Sequence, residues 1–461
     1  MPSLKVIIIG GGLAGTLLAN GLQRNRIEVT VYERLARDAK REGYQIRLGV
    51  NALIGMRACL DPDVLTSVAA KFGRAGGKKS TAPVIRNKAF DSILDLTKFP
   101  VYSKSAAITR TVLRDALAQP VDQAGNLVYG KQFSSYEIVQ QEGRERVKVH
   151  FEDGSSDICD ILIGADGSHS QVNRRLGLNN LHQTKSHVSF IAKTELPMSM
   201  FSNMSPQLHE KPVLSFSDNS AFYFAAYLPD KLESDIHSND TVGRDGYDEE
   251  SATCMFGIHI PIEHVPDGAL RADNQTKWRI CADYMKPWAA EYHEMLDIIK
   301  GCDIYAYQAR ISTQPKANWR ADAQRSEPET GGHPRVWLLG DSMHAMLPTR
   351  GMGGNQSLRD TATLLPLLLQ LNKEVKDGMW PSKANIARCC NEYESEMVPR
   401  AFNWVQKSGG GVLAPVDVET YTGRALMSIA SLGMQMYYGF TLLAGLFTTK
   451  AYVDDAPELR S

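Results

Sequence analysis

The feature that most restricts this chain is a glycine run wedged between a strand and a helix. Lys5–Ile9 is a short β-branched run, Gly10-Gly11-Gly12-Leu13-Ala14-Gly15 follows at once, and residues 16–24 read as an apolar helix. A second apolar strand over 29–32 ends at Glu33. That order requires two parallel strands joined by a right-handed crossover. The run fits the GxGxxG pattern of a dinucleotide site. Its glycines permit the tight turn and let backbone approach a pyrophosphate at the helix N-terminus, where the macrodipole favours anions. The candidate contacts are Gly10, Gly12, Leu13, Ala14 and Gly15, with Glu33 and Arg34 at the end of the second strand. Glu33 can accept both hydroxyls of an adenosine ribose, and its charge repels a 2′-phosphate. At this point FAD and NAD both stay open.

Charge balance removes several classes. The 461 residues carry 51 Lys+Arg against 52 Asp+Glu, so no basic excess exists to neutralise nucleic-acid phosphates. With 37 glycines and 21 prolines the chain is neither collagen-like nor low-complexity. Its length suggests about three units, or two with elaborations, at roughly 150 residues each. Such a chain buries several cores without disulfides or structural metals. Seven cysteines, none in CxxC spacing and two adjacent at Cys389 and Cys390, read as reduced thiols of a cytosolic protein. Residues 6–22 mimic a signal peptide, but no basic run precedes them and the glycines interrupt them. No His, Cys, Asp or Glu cluster has metal spacing, so no metal is expected, and no GxSxG elbow is present. The expected partner is a small molecule.

Arg110 and Arg114 fall four apart on a helix over 109–117 and so share a face. Residues 146–151 before Asp153-Gly154 read as a hairpin arm, and 158–163 as a buried strand running into Gly164-Ala165-Asp166-Gly167. The texture changes near Ser186. Residues 213–216 and 221–227 alternate around Asp218-Asn219, a hairpin signal. Residues 234–251 read as a polar surface loop, 255–260 as strand, and 277–299 as one helix. Residues 335–339 are again a buried strand, ending at Gly340-Asp341. The fold class is α/β: a doubly wound dinucleotide-binding domain over 1–182 and 277–372, an inserted, mostly antiparallel β-sheet substrate domain over 183–276, and a C-terminal helical extension over 373–461.

Residues 336–360 read VWLLGDSMHAMLPTRGMGGNQSLRD. This resembles the GD-x-x-H-x-x-x-P-x-x-G-x-G-x-N-x-x-x-x-D segment of the FAD-dependent aromatic hydroxylases, the single-component flavoprotein monooxygenases. The GADG at 164–167 resembles that family's segment too, so three motifs stand in family order across about the first 400 residues. The resemblance implies FAD as cofactor, with NADPH or NADH as a transient co-substrate in the interdomain groove. It places Asp341 on the ribityl chain, Gly351, Gly353, Gly354 and Asn355 around the isoalloxazine, and Pro348 over the oxygen-reacting face. Arg110 resembles the helix arginine at the FAD phosphates or ribityl, and Asp166 lies near the dinucleotide groove. In Gly43-Tyr44-Gln45-Ile46-Arg47-Leu48, Gln45 or Arg47 touches cofactor or active site. Arg47 is the catalytic candidate, unless it is a strand residue facing solvent. The family often has arginine directly after the valine where this chain has Val172-Asn173-Arg174, so Arg174 and Arg175 are the substitutes for a nicotinamide or phosphate contact. Ser342-Met343 replaces paired alanines.

The implied reaction uses NAD(P)H and O2 to form a flavin C4a-hydroperoxide, which hydroxylates or epoxidises an electron-rich aromatic or polycyclic small molecule. A phenol, indole or polyketide intermediate of secondary metabolism is the expected kind. A flavin-dependent dehydrogenase or oxidase, and a non-redox FAD-containing binding protein, are the alternatives. Phe190, Phe216, Phe222, Tyr223, Phe224 and Tyr227 are pocket candidates, of which alternation turns about half toward the flavin. Lys193 either faces the flavin to protonate or orient a substrate oxygen or, the favoured reading, is a solvated edge lysine; His344 reads as a structural imidazole in preference to a proton carrier, while His187 and His293 are isolated. Residues 425–449 carry no charge and are long enough to cross a bilayer at about 20 residues per span. Gly433, Gln435, Gly439 and Gly445 lower their hydropathy, so the expectation is one or two buried helices covering the FAD domain, with a membrane-surface role open.

Overall fold

Short β-branched runs with apolar residues on both faces pair as a parallel sheet. In the computed structural model five of them do so, in the order Val336–Leu338, Ile161–Gly164, Lys5–Ile9, Glu28–Glu33, Leu127–Tyr129. The structure describes residues 2–39, 45–75, 83–96, 106–196, 198–209, 211–229, 253–409 and 416–447. Gly43, Tyr44, the expected loop over 234–251 and the side chains of Gln45 and Tyr227 lie outside the described part. The chain winds outward from Lys5–Ile9 in one direction and resumes on its other side at Ile161–Gly164. A doubly wound sheet opens a crevice at such a reversal, beyond the carboxyl ends of the strands. Gly10 and Gly164 end those two strands. The doubly wound expectation is borne out.

Two glycines set how closely helices approach this sheet. A Cβ on Gly15 would lie 2.1 Å from Gly10 O, so helix Leu13–Arg24 touches the first turn backbone to backbone. A Cβ on Gly55 would lie 1.9 Å from Leu358 O, locking helix Val50–Cys59 against helix Gly353–Lys376.

A larger sheet covers the crevice. Its order is Ile304–Tyr307, His187–Glu195, Thr253–Pro261, Ala221–Pro229, Val213–Ser215, Val84–Arg86, Ser92–Asp95, with Gln45–Leu48, Gly73–Ala75 and Ala106–Thr109 attached. Among its pairs, Val213–Ser215 with Val84–Arg86 is parallel and the others are antiparallel. Asp218 and Asn219, at φ 53° and 57°, turn the hairpin that their side chains signalled. The hairpin arm near 146–151 is strand Arg144–Phe151, paired on both sides.

Two expectations need correction. The helix over 277–299 is two helices, Asn274–Met285 and Ala290–Ile298. Pro287 lies between them; it has no N–H to donate and its ring clashes with the preceding turn. The C-terminal helix, Tyr421–Phe447, is not buried: between 424 and 436 most of its positions are exposed, and it packs against the large sheet rather than the parallel one. Val418 N–H donates to Phe216 O at 2.8 Å, and Glu419 Oε1 accepts from Ser217 Oγ and Lys88 N–H. These bonds anchor the helix start on the large sheet, and Met427 and Met434 then pack beside Ile85, Leu94 and Leu96. No helix among the described residues is long and apolar enough to cross a membrane.

Candidate active site

The first turn is built by exclusion. Gly10 has φ +112°, and a Cβ there would stand 2.3 Å from Ala165 O. Gly12 is the opposite case: it caps helix Leu13–Arg24 without any side-chain hydrogen bond, and nothing lies within 4 Å of its missing Cβ. The first N–H groups of that helix, those of Leu13 and Ala14 among them, therefore lack a capping side chain, the condition for holding an anion. Glu33 accepts from Gly11 N–H at 2.9 Å and Leu35 N–H at 3.0 Å, one bond to each oxygen. Each oxygen keeps a lone pair for a ribose hydroxyl. The Asp166 carboxylate accepts from Ser170 Oγ and from Gln171 N–H and Val172 N–H. Its side chain thus caps the following helix while its backbone lines the Gly10 turn. Burial first, then Arg310, Arg34 and Arg174, hold His169 below the ordinary histidine range, so these cations gather at one place. Arg175 instead turns its Nε to Ser134 O.

Strand Val336–Leu338 delivers Asp341 to the same crevice through Gly340, at φ 65°. No described residue donates a hydrogen bond to the Asp341 carboxylate. Burial raises its pKa, and the opposing charges felt there are His344 and Arg110. Arg110, exposed at the start of helix Arg110–Gln123, therefore stands within electrostatic reach of Asp341.

Pro348–Arg350 forms one helical turn that Gly351 closes at φ 62°. Met352 then opens helix Gly353–Lys376 with no capping side chain. Nothing lies within 4 Å of a Cβ built on Gly351; the nearest atoms to Gly353 and Gly354 are 3.7 and 3.9 Å away. Asn355 spends its amide on backbone, accepting from Gly49 N–H at 2.8 Å and donating to Arg47 O and Gly351 O. It fixes the spacing of the two crevice walls. Below this corner His344 Nε2 meets Asp360 Oδ2 at 2.7 Å, and Asp360 accepts from Arg400 Nη2 and Gly340 N–H. Burial opposes charge on both, but their attraction outweighs it: His344 is raised and Asp360 lowered. His344 is thus the structural imidazole expected. The role of Arg400, forty residues downstream, had no local signal.

The large sheet has two faces of different character. Phe190, Phe222, Phe224, Phe256 and Ile258 pack behind it with Trp288, in the link between the two helices, and with Tyr292 and Met295 of the second helix. Alternation puts Ser189, Ile191, Lys193, Tyr223, Met255, Gly257 and His259 on the front. Of the six aromatic candidates, Tyr223 is in front, Phe190, Phe222 and Phe224 are in the rear core, and Phe216 packs near the C-terminal helix. Arg47 is half-buried rather than fully solvent-facing; partial burial pushes it down to about 10, with Tyr223 as the partner that opposes the shift. Lys193 is not a solvated edge residue either. It lies on an interior strand, half-buried, its Nζ 3.5 Å from Thr109 Oγ1, and burial lowers its pKa. Between Ile191 and Tyr223 in register sits Gly257, whose missing Cβ meets only Ile191 Cγ1 at 3.8 Å. His259 Nδ1 contacts Ser189 Oγ at 2.6 Å, and burial lowers the ring to about 4, so it is neutral at pH 7.

One crevice therefore holds two helix N-termini without side-chain caps, glycines with room where a Cβ would stand, and a half-buried carboxylate to which no described residue donates. N–H groups suit a pyrophosphate and a ring carbonyl, and a lone carboxylate suits linker hydroxyls. FAD fits this donor set. Among the described residues no group of three or more His, Cys, Asp or Glu is placed to hold a metal.

The comparisons agree. Residues 3–229 and 293–378 match the FAD binding domain family. The dual O-methyltransferase/FAD-dependent monooxygenase elcB of Phaeosphaeria nodorum is 22% identical over 454 residues, covering 91% of this chain; the chain spans 46% of that longer protein. Salicylate hydroxylase of Pseudomonas putida is 27% identical over 423 residues, 88% of this chain and 84% of that one. The structure of Klebsiella pneumoniae HpxO complexed with FAD and uric acid superposes with a TM-score of 0.65 at 19% identity, covering 98% and 97% of the two chains. This chain belongs to the FAD-dependent aromatic hydroxylase family, the flavoprotein monooxygenases built on the FAD binding domain. Its cofactor is FAD, and use of NAD(P)H is typical of the family.

Proposed function

We propose that this enzyme uses NAD(P)H and O2 to hydroxylate or epoxidise an aromatic or polycyclic small molecule carrying an acidic oxygen, such as a phenolate or enolate. The observation that carries this reading is the placement of two half-buried cations, Lys193 with its Nζ 3.5 Å from Thr109 Oγ1 and Arg47 within electrostatic reach of Tyr223, beside the apolar floor of Ile191, Met255 and Gly257. An ionised ring oxygen feeds electron density into the ring, which electrophilic oxygen transfer requires. A relative whose name is salicylate hydroxylase accords with such a substrate.

Bound FAD supplies hydride acceptance and dioxygen activation; the chain supplies place, charge and dryness. The N–H groups after Gly12 hold the pyrophosphate, Glu33 the ribose, Asp341 the ribityl hydroxyls, and Arg110 the neighbouring phosphate. Backbone N–H groups of 351–354 hold the ring, with Pro348 beside it and Gln45 at the adjoining strand. Asn355 keeps Arg47 and Gly351 at fixed separation. Lys193 stabilises the ionised oxygen of the substrate, and the large sheet excludes water. Arg34, Arg174 and Arg310 offer the phosphates of the nicotinamide dinucleotide a place at the crevice mouth.

Turnover under labelled dioxygen tests the reaction class. One labelled oxygen atom in each product molecule is expected. Unlabelled product formed together with an equal amount of hydrogen peroxide would instead make the protein a flavin-dependent oxidase.

A further inference from the structure

We propose that the C-terminal helix Tyr421–Phe447 docks the enzyme flat against a lipid bilayer, its axis parallel to the membrane surface. Between 424 and 436 the helix is exposed everywhere except along one seam, Met427, Ser431 and Met434, which is half-buried. At about 100° per residue, Leu426, Ile429, Leu432, Met436 and Phe440 form a stripe roughly 120° wide on the side opposite that seam. These five are 54–71% exposed and extend along about 21 Å of helix. Nothing lies within 4 Å of a Cβ built on Gly433 or Gly439. A contiguous apolar surface of this kind marks an interaction site.

Charge selects the occupant. A seam between two helices is narrow and is flanked by charged positions that choose partner and register. Here the stripe is broad, and residues 425–449 contain no charge at all, the flanks being Ser428, Ala430 and Gln435. A helix lying in the interface buries a wide apolar face about 5–10 Å deep, and an uncharged flank spares it the cost of carrying charge inward. The helix lies flat rather than spanning, since among the described residues none is long and apolar enough to cross. In sequence the uncharged stretch is bracketed by Lys450 and by Arg424, which donates to Val418 O and pairs with Glu419 on the protein side. The seam side packs on the cluster of Ile85, Leu94 and Leu96, against which Leu214 also packs, and Leu214 pairs in register with Tyr223. Docking therefore holds the edge of the substrate sheet at the interface, where an apolar aromatic compound partitions.

The test is cosedimentation of the purified, FAD-loaded full chain with phosphatidylcholine vesicles carrying about one-fifth phosphatidylserine. The unaltered protein and Met379→Glu, an exposed change elsewhere, are expected to sediment with vesicles, and to do so still in raised salt. Ile429→Glu with Met436→Glu is expected to lower the bound fraction by more than about tenfold, with FAD content, unfolding temperature and NAD(P)H oxidation unchanged. Phe440→Ser, a milder change, is expected to fall between them. Failure of the unaltered protein to sediment overturns the proposal, as does undiminished sedimentation of the double variant. A dimer that the double variant splits, without vesicle binding, assigns the stripe to a second copy. None of these readouts depends on oxygenation, so the docking and the proposed reaction stand or fall separately.

Discussion

The crevice of the parallel sheet and the front of the large sheet face one another, yet they are made differently. The crevice is backbone: its shape comes from absent side chains at Gly10, Gly12, Gly15 and Gly351, and its ligands are N–H groups. The front face is side chains on a pleated surface, where Lys193, Tyr223 and His259 differ in chemistry from neighbours of similar size. A wall of backbone accepts one residue at each position, whereas a wall of side chains accepts many. Cofactor binding is therefore coupled to folding, and substrate choice is not.

Substitutions can break that contrast, and the largest effect is expected in the glycines. Gly15→Ala sets a Cβ 2.1 Å from Gly10 O and should abolish FAD retention while costing about 3 kcal/mol of stability. Gly12→Ala, with open space around its Cβ, should unfold like the parent yet bind FAD more weakly. Flavin absorbance per protein and thermal unfolding separate the two; equal stability of both variants would end the argument from close approach.

Next is the buried network under the crevice corner. Arg400→Met leaves Asp360 and His344 without their outer cation and should cost about 3–5 kcal/mol in urea unfolding. Because Asp360 is lowered in the folded state, its contribution is present above the unfolded value of about 3.9 and is lost as pH falls through the folded one. In the variant that acid-side loss should begin at higher pH.

Asp341→Asn should weaken FAD by about tenfold to a hundredfold, the worth of hydrogen bonds to a charged group. The apoprotein should become more stable at pH 7. A raised acid binds more protons folded than unfolded, so its presence lowers stability as pH rises from about 3.9 through the raised value. Isothermal titration with FAD and urea unfolding of the apoprotein check both signs.

The smallest effect on the molecule belongs to the front face. Lys193→Met should leave folding and substrate-free flavin reduction unchanged while raising KM for an acidic substrate about tenfold to a hundredfold. Burial lowers the lysine pKa, so in the parent KM should climb with pH before the ordinary lysine value of about 10.4. Lys193→Arg should flatten that climb, and a pH profile of KM against kcat shows it.

What could be read from residues alone follows the same division. Glycines at fixed spacing after a strand announced the turn, and Asp218-Asn219 announced a hairpin, because few residues adopt those conformations. The phase of strand His187–Glu195 was hidden, since Phe190 and Ile191 are both apolar and either face could have been the core. Lys193 reads as a solvated edge residue for a different reason, that a lone lysine on a strand usually is one. Arg400 lies too far along the chain from Asp360 for any local pattern to join them. The C-terminal helix misled because an uncharged run reads as buried, and between 424 and 436 it is exposed on all but one seam.

The most direct test mixes FAD-loaded protein with NADPH, then NADH, in the absence of oxygen, and follows visible absorbance against a panel of phenols and their methyl ethers. Bleaching that a phenol accelerates and its methyl ether does not, with the difference lost in Lys193→Met, is the predicted result. No bleaching by either nicotinamide with any member of the panel would contradict the account.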